Sequence, residues 1–167
     1  VALNLKKLGA NVNCYGFVGN DFYGENLINL LTDQGISCKG IEKINNHHTT
    51  VKQRIYSNGI QISRLDREEL YHKWTPNFDL NNKDSLLVIS DYNKGVFSNI
   101  RIKNNECFSI IDPKNEKFSC YKNAMIITPN IYELQNATKC DINDLKSIEK
   151  ACKKLIMENN FKYILLK

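Results

Sequence analysis

The chain has 167 residues, 42% hydrophobic and 25% charged, with a formal charge of +5. These values suit a soluble globular domain with a real core. The lysines are spread out, their densest patch (Lys150, Lys153, Lys154) falls on a helical pattern that reads as a solvated face, and no apolar run nears the ~18 residues of a membrane span, so neither a nucleic-acid nor a membrane partner is expected.

The first residues, VALNLKKLG, place Val1, Leu5 and Leu8 at helical spacing, and Gly9 closes that helix. Residues 12–18 read as a strand and Gly19-Asn20-Asp21 as a turn. A helix over 22–34 carries Leu27, Leu30 and Leu31 and stops at Gly35, and a short strand over 36–42 follows. His47-His48 reads as a solvated loop. From 49 to 66 the period changes to two, and Asn58-Gly59 in its middle is the strongest two-residue hairpin signal, because both positions accept positive φ. Strands are expected over 85–90, 108–112 and 124–128, and helices over 97–104, 131–137 and 143–159, the last with Leu145, Ile148, Ala151, Cys152 and Leu155 on one face. YILLK begins another strand. Short apolar runs separated by helices predict an α/β fold with a mainly parallel sheet covered on both faces. The chain does not begin with Met and ends on an unfinished strand, so it reads as truncated at both ends.

The six cysteines include no C-x-x-C pair, and the three histidines do not flank them at zinc spacing, so no structural zinc is expected. Widely spaced cysteines without a signal peptide suit a reducing cytosol, hence a cytoplasmic protein.

In a parallel sheet, ligands bind beyond the carboxyl ends of the strands. Three consecutive strands here end in SDYNKG, IDPKN and TPNIYE, which brings Asp91, Lys94, Asp112, Lys114, Asn130 and Glu133 toward one rim. Lysines give phosphate a charge partner and carboxylates hold Mg²⁺ directly or through water, so the mixture suits a phosphorylated substrate and a nucleotide–magnesium complex. Each element also has a plainer reading. Asn130 with Glu133 three residues later fits a helix cap. Asp112-Pro113 and Lys94-Gly95 fit turns, and Lys52, Arg54 and Arg64 fit edge-strand charges that prevent aggregation. No Walker A loop and no G-x-G-x-x-G occurs.

The order of these segments resembles the ribokinase-like (PfkB) carbohydrate kinases over nearly the whole chain. Ala2, Gly9 and Gly19 match the spacing of the family's first signature, and GNDFYGENL resembles the segment after its second strand. TTVKQRIYSNGIQISRLD resembles the lid hairpin of those members that act on D-glycero-β-D-manno-heptose 7-phosphate, and SDYNKGV, IDPK and TPNIYEL follow in the same order. The resemblance implies a three-layer ribokinase-like domain over 1–167 with a lid hairpin inserted at roughly 45–66. It implies a sugar kinase using ATP and Mg²⁺. Asn130, Ile131, Tyr132 and Glu133 would serve the nucleotide phosphates, with Glu133 reaching Mg²⁺ through water. Asp91, Lys94, Asp112 and Lys114 would line the substrate cleft, Lys52, Arg54 and Arg64 would neutralise the sugar phosphate from the lid, and a homodimer through the lid is compatible with it. The family's catalytic Asp, in a Gly-Ala-Gly-Asp segment, has no match in this chain and is expected beyond Lys167. A kinase for another sugar or sugar phosphate, or a non-catalytic binding domain, are the alternatives.

Overall fold

The structure is a computed structural model that describes residues 1–76, 85–100, 108–114 and 117–167. The chain forms two compact units, Val1–Asn77 and Phe78–Lys167.

In the first unit, helix α1 (Ala2–Lys7) ends where Gly9 takes a φ of 91°, a left-handed turn that a side chain would oppose. Strand β1 (Asn13–Gly19), helix α2 (Phe22–Asp33) and strand β2 (Ser37–Ile44) follow, and β1 pairs in parallel with β2 up to Gly19 opposite Ile44. Strand β2 therefore runs two residues past the expected 42. Strands β3 (Val51–Ser57) and β4 (Ile60–Arg67) form the antiparallel hairpin, closed by Asn58 at φ 49° and Gly59 at φ 78°. Every residue of β4 is exposed, as is every residue of β3 but Val51.

The end of β1, the start of α2 and the loop before β3 meet at one point. Asp21 caps α2 by accepting the Gly24 N–H at 2.8 Å. Its carboxylate also accepts the Thr49 hydroxyl at 2.7 Å and the Thr49 N–H at 2.9 Å, while the same Thr49 hydroxyl accepts the Gly19 N–H. Burial alone would raise this carboxyl, but the bonds from Thr49 and Gly24 prevail and hold it at about 2 against the usual 3.8. A carboxyl depressed in the folded state contributes stability that is full above its unfolded pKa and is lost as pH falls through its folded one. Asp21→Asn is therefore expected to lower Tm at neutral pH, and the gap from wild type should close between about pH 4 and pH 2. Thermal melts of both proteins across that window check it, and a gap independent of pH would refute it.

His47, expected in a solvated loop, is instead buried at 9% exposure. Its ring packs 5.5 Å from Phe17 and 5.4 Å from Tyr71, and its Nδ1 lies 3.2 Å from Glu69. These partners come from β1 and from the segment after β4, too far away in sequence for a local pattern to reveal. His48 stays exposed, its N–H donating to Glu69 at 3.0 Å.

The second unit contains a four-stranded sheet in the order β5 (Leu86–Ser90), β6 (Phe108–Asp112), β7 (Ile126–Ile127), β8 (Tyr163–Ile164), parallel throughout. A short 3-10 turn (Phe118–Tyr121) precedes β7, helix α3 (Ile131–Thr138) follows it, and helix α4 (Leu145–Asn159) leads to β8. Ile89, Ile111, Ile127, Leu134, Ala151 and Leu155 are buried, which is the apolar stripe that the strand and helix periods predict. Leu145 is the exception: it opens α4 at 83% exposure. Of the expected strand over 124–128, only Ile126 and Ile127 pair on both sides. Ala124 belongs to the preceding turn, its N–H bonding the Tyr121 carbonyl, and Pro129 has no N–H to extend the ladder. Residues 97–99 form a turn rather than the start of a helix, and positions 101–104 of that expected helix lie outside the described residues. Phe97 and Ile100 are buried there.

Candidate functional site

In the second unit, the register sets Ser90 beside Asp112 and Ile111 beside Ile127, so the carboxyl ends of β5, β6 and β7 are level. The ladder extends slightly further, with the Asp91 N–H on the Asp112 carbonyl and the Thr128 N–H on the Ile111 carbonyl. The parallel sheet thus brings Asp91, Lys94, Asp112, Lys114, Asn130 and Glu133 to one rim, as the strand-end clusters predicted.

Asn130 begins α3. Its side chain accepts the Glu133 N–H at 2.9 Å, and the Glu133 carboxylate accepts the Asn130 N–H at 2.8 Å, a complete capping box. The other Glu133 oxygen lies 3.2 Å from the Lys114 Nζ at the end of β6. The Glu133 side chain is 16% exposed and that of Lys114 57%, so the carboxylate is set into the surface and the ammonium reaches over it. Capping therefore uses one oxygen, and the second is engaged by a cation on the rim. Ile131 and Tyr132 occupy the first turn of α3 with exposed side chains, and the amides of such a turn are anion donors by position.

Asp91 is placed differently from an open substrate ligand, being only 5% exposed. One oxygen accepts the Asn93 N–H at 2.7 Å, and the other accepts the Tyr121 hydroxyl at 2.5 Å. Asp112 pairs with Lys167, just past β8, and receives the Thr128 hydroxyl at 3.4 Å. Lys94 is half-buried in the turn after β5. Tyr121, Thr128 and Lys167 thus join the rim without having been singled out in the sequence. Lys167 ends YILLK as Asp112 ends FSIID, so the strand-end rule could have found it. Tyr121 lies in a 3-10 turn with no motif to mark it.

In the first unit, the pairing of Lys52 with Asp66 and of Arg54 with Arg64 puts all four on one face of the hairpin. Lys52 lies 2.9 Å from Glu68 and 3.7 Å from Asp66, and these carboxylates, Glu68 first, raise its pKa. The Arg64 Nε lies 2.9 Å from Asp66. Among the described residues Arg54 makes no ion pair, and it stands directly opposite Arg64.

Among the described residues no group of three His, Cys, Asp or Glu side chains is placed to hold a metal ion, and no helix is long and apolar enough to cross a membrane. Mg²⁺ keeps several waters and takes one or two carboxylates together with substrate phosphates, so a single inset Glu133 beside a lysine fits such a shared site and not an all-protein cage. The described cysteines are all free thiols.

Level parallel strand ends carry lysines, carboxylates and a helix start, and the α/β fold is ribokinase-like. Over 99% of the chain it matches the structure of Arabidopsis thaliana ribokinase complexed with ribose and ATP, at a TM-score of 0.73 and 19% identity, covering 58% of that chain. Phosphofructokinase-2 from Escherichia coli matches at a TM-score of 0.67 and 16% identity, over 99% of this chain and 59% of that one. The pattern of the pfkB family carbohydrate kinases matches residues 1–165, and the chain belongs to that family. Among curated relatives, Bifunctional protein HldE of Campylobacter curvus is 34% identical over 98% of this chain, and that of Helicobacter pylori 35% identical over 90%. The chain spans 38% and 36% of the length of those two proteins.

Proposed function

We propose that the full-length protein is a kinase that transfers the γ-phosphoryl group of ATP to O1 of D-glycero-β-D-manno-heptose 7-phosphate, in the cytoplasmic synthesis of heptose precursors for the lipopolysaccharide core. The observation that carries this reading is the Asn130–Glu133 capping box with Lys114 on its outer oxygen, at the carboxyl ends of parallel strands in a pfkB family chain. The first turn of α3 supplies amides for the nucleotide phosphates, and Lys114 offsets their charge. Mg²⁺, when bound with the nucleotide, neutralises charge on the phosphates. Glu133, one oxygen fixed by the cap, would hold that ion through water with the other. The acceptor hydroxyl loses its proton to the Asp of the family's Gly-Ala-Gly-Asp segment, which the resemblance places after Lys167.

The hairpin supports a phosphorylated acceptor. Like charges directly opposite on paired strands are destabilising, and an anion between Arg54 and Arg64 removes that repulsion. The same hairpin, exposed along β3 and β4, is the proposed contact for a homodimer. A second reading, a pfkB kinase for an unphosphorylated sugar, draws on the carboxylates of Asp66 and Glu68, which already neutralise Lys52 and Arg64.

Steady-state kinetics of the full-length protein with ATP, Mg²⁺ and a panel of sugars and sugar phosphates decide between them. Heptose 7-phosphate is expected to exceed free heptose in kcat/KM by about a hundredfold. Lys52→Ala combined with Arg54→Ala is expected to raise KM for the phosphorylated heptose about tenfold and KM for ATP less than about twofold. Preference for a free sugar would replace the first reading by the second, and equal effects on both KM values would remove the hairpin from phosphate recognition.

A further inference from the structure

Tyr121 is fully buried, yet its hydroxyl reaches the rim. Its ring is held edge-on by Phe97 at 4.9 Å and Phe118 at 5.7 Å between centroids. Its oxygen accepts the Lys114 N–H at 3.2 Å and donates to the Asp91 carboxylate at 2.5 Å. The direction of both bonds is fixed by chemistry. An amide can only donate, so the hydroxyl proton is left for Asp91, and a bond from a neutral hydroxyl to a carboxylate is of the stronger, charge-assisted kind.

Asp91 passes this constraint on. Its other oxygen receives the Asn93 N–H at 2.7 Å, closing a turn in which Asn93 (φ 55°) and Gly95 (φ 103°) both adopt left-handed backbone. Lys94 sits between those two residues, so the direction in which it leaves the turn depends on the Asp91 carboxylate. On the other side, Lys114 has its N–H on Tyr121 and its Nζ on Glu133. One hydroxyl thus joins the loop after β5 to the loop after β6, and a lysine stands on each.

We propose that Tyr121 is a positioning residue: through Asp91 and the Lys114 amide it sets the spacing of Lys94 and Lys114 on the rim, and thereby the seat of a phosphorylated ligand. This rests on the reading of that rim as the phosphate-handling cleft. Tyr121 touches no reacting group. It acts through the two loops, and a polar tie between buried groups is where a small displacement is resisted most strongly.

The test uses full-length protein and Tyr121→Phe, which keeps the ring between Phe97 and Phe118 and removes only the hydroxyl. Hydrogen exchange at the Lys114 amide is expected to quicken about tenfold. The value of kcat/KM for the phosphorylated sugar is expected to fall about tenfold, with KM for ATP changed less than about twofold. Asp91→Asn, which keeps the shape and removes the charge, should show the same split. Unchanged exchange at Lys114 overturns the tie. Faster exchange with unchanged kinetics, or a fall in Tm with sugar and ATP parameters moving together, overturns the positioning role. If the wild-type protein phosphorylates no sugar, the functional reading fails by itself. The tie is then judged with inorganic phosphate as the probe: affinity about threefold weaker in Tyr121→Phe supports it, and equal affinity overturns it.

Discussion

Glu133→Gln is expected to lower kcat of the full-length protein about a hundredfold while moving Tm by no more than about 2 °C. The two effects separate because the two oxygens of Glu133 have different work. One accepts the Asn130 N–H and completes the cap of α3, and glutamine at this third helical position caps as well as glutamate does. The other faces Lys114 and, in the proposed reaction, the nucleotide with its metal. Glutamine supplies no negative charge there, so the lysine loses its partner and a carboxylate is missing where charge moves. Asn130→Ala should cost about 1 kcal/mol of stability through the lost cap. Steady-state kinetics and melting curves of the glutamine variant check the prediction. Normal turnover would mean that Glu133 is a helix cap and nothing more.

Gly19→Ala is expected to destabilise the protein by about 3 kcal/mol, well beyond an ordinary surface change. A Cβ at Gly19 would stand 2.3 Å from the His47 carbonyl oxygen and 2.7 Å from the Thr49 nitrogen. Both are backbone atoms, so neither can swing aside. Gly24 is confined in the same way, its added Cβ lying 2.3 Å from the Gly19 carbonyl oxygen. The contrast is Gly59 at the hairpin turn, where an added Cβ meets nothing within 4 Å and only the positive φ of 78° opposes a side chain. Gly59→Ala should cost about 1 kcal/mol. Chemical denaturation of the two variants measures the difference, and equal losses would show that the close approach at Gly19 relaxes freely.

Local sequence revealed what local physics decides. Asn58-Gly59 announced its turn because two consecutive positive φ angles need those residue types, and the turn is found there. Asn130 and Glu133 were legible as a cap because a capping box is written in four consecutive residues. The rim was legible because strands of a parallel sheet end at the same level, so three polar strand ends must be neighbours. Pairings across the chain left no such trace. Asp21 and Thr49 are 28 residues apart, Asp91 and Tyr121 are 30 apart, and nothing in FSCYKN marks a buried hydroxyl. His47-His48 looked like loop polarity, but only His48 is exposed, because Phe17 and Tyr71 pack against the ring of His47. The strand expected over 124–128 shrank to its paired residues for a similar reason: apolar runs state what is buried, while ladder length depends on the neighbouring strands.

The knot around Asp21 has a mechanical meaning. Thr49 is pinned two residues before β3 begins, so the hairpin is a beam clamped at its root. Strand β3 has seven residues, an arm of roughly 20 Å from Val51 to the tip. A tilt of about 10° at the clamp therefore swings Asn58 and Gly59 by roughly 3.5 Å, close to one residue's rise along a strand. The same tilt moves Arg54 and Arg64, about halfway along that arm, by roughly 1.7 Å, a distance that makes or breaks a hydrogen bond to either guanidinium.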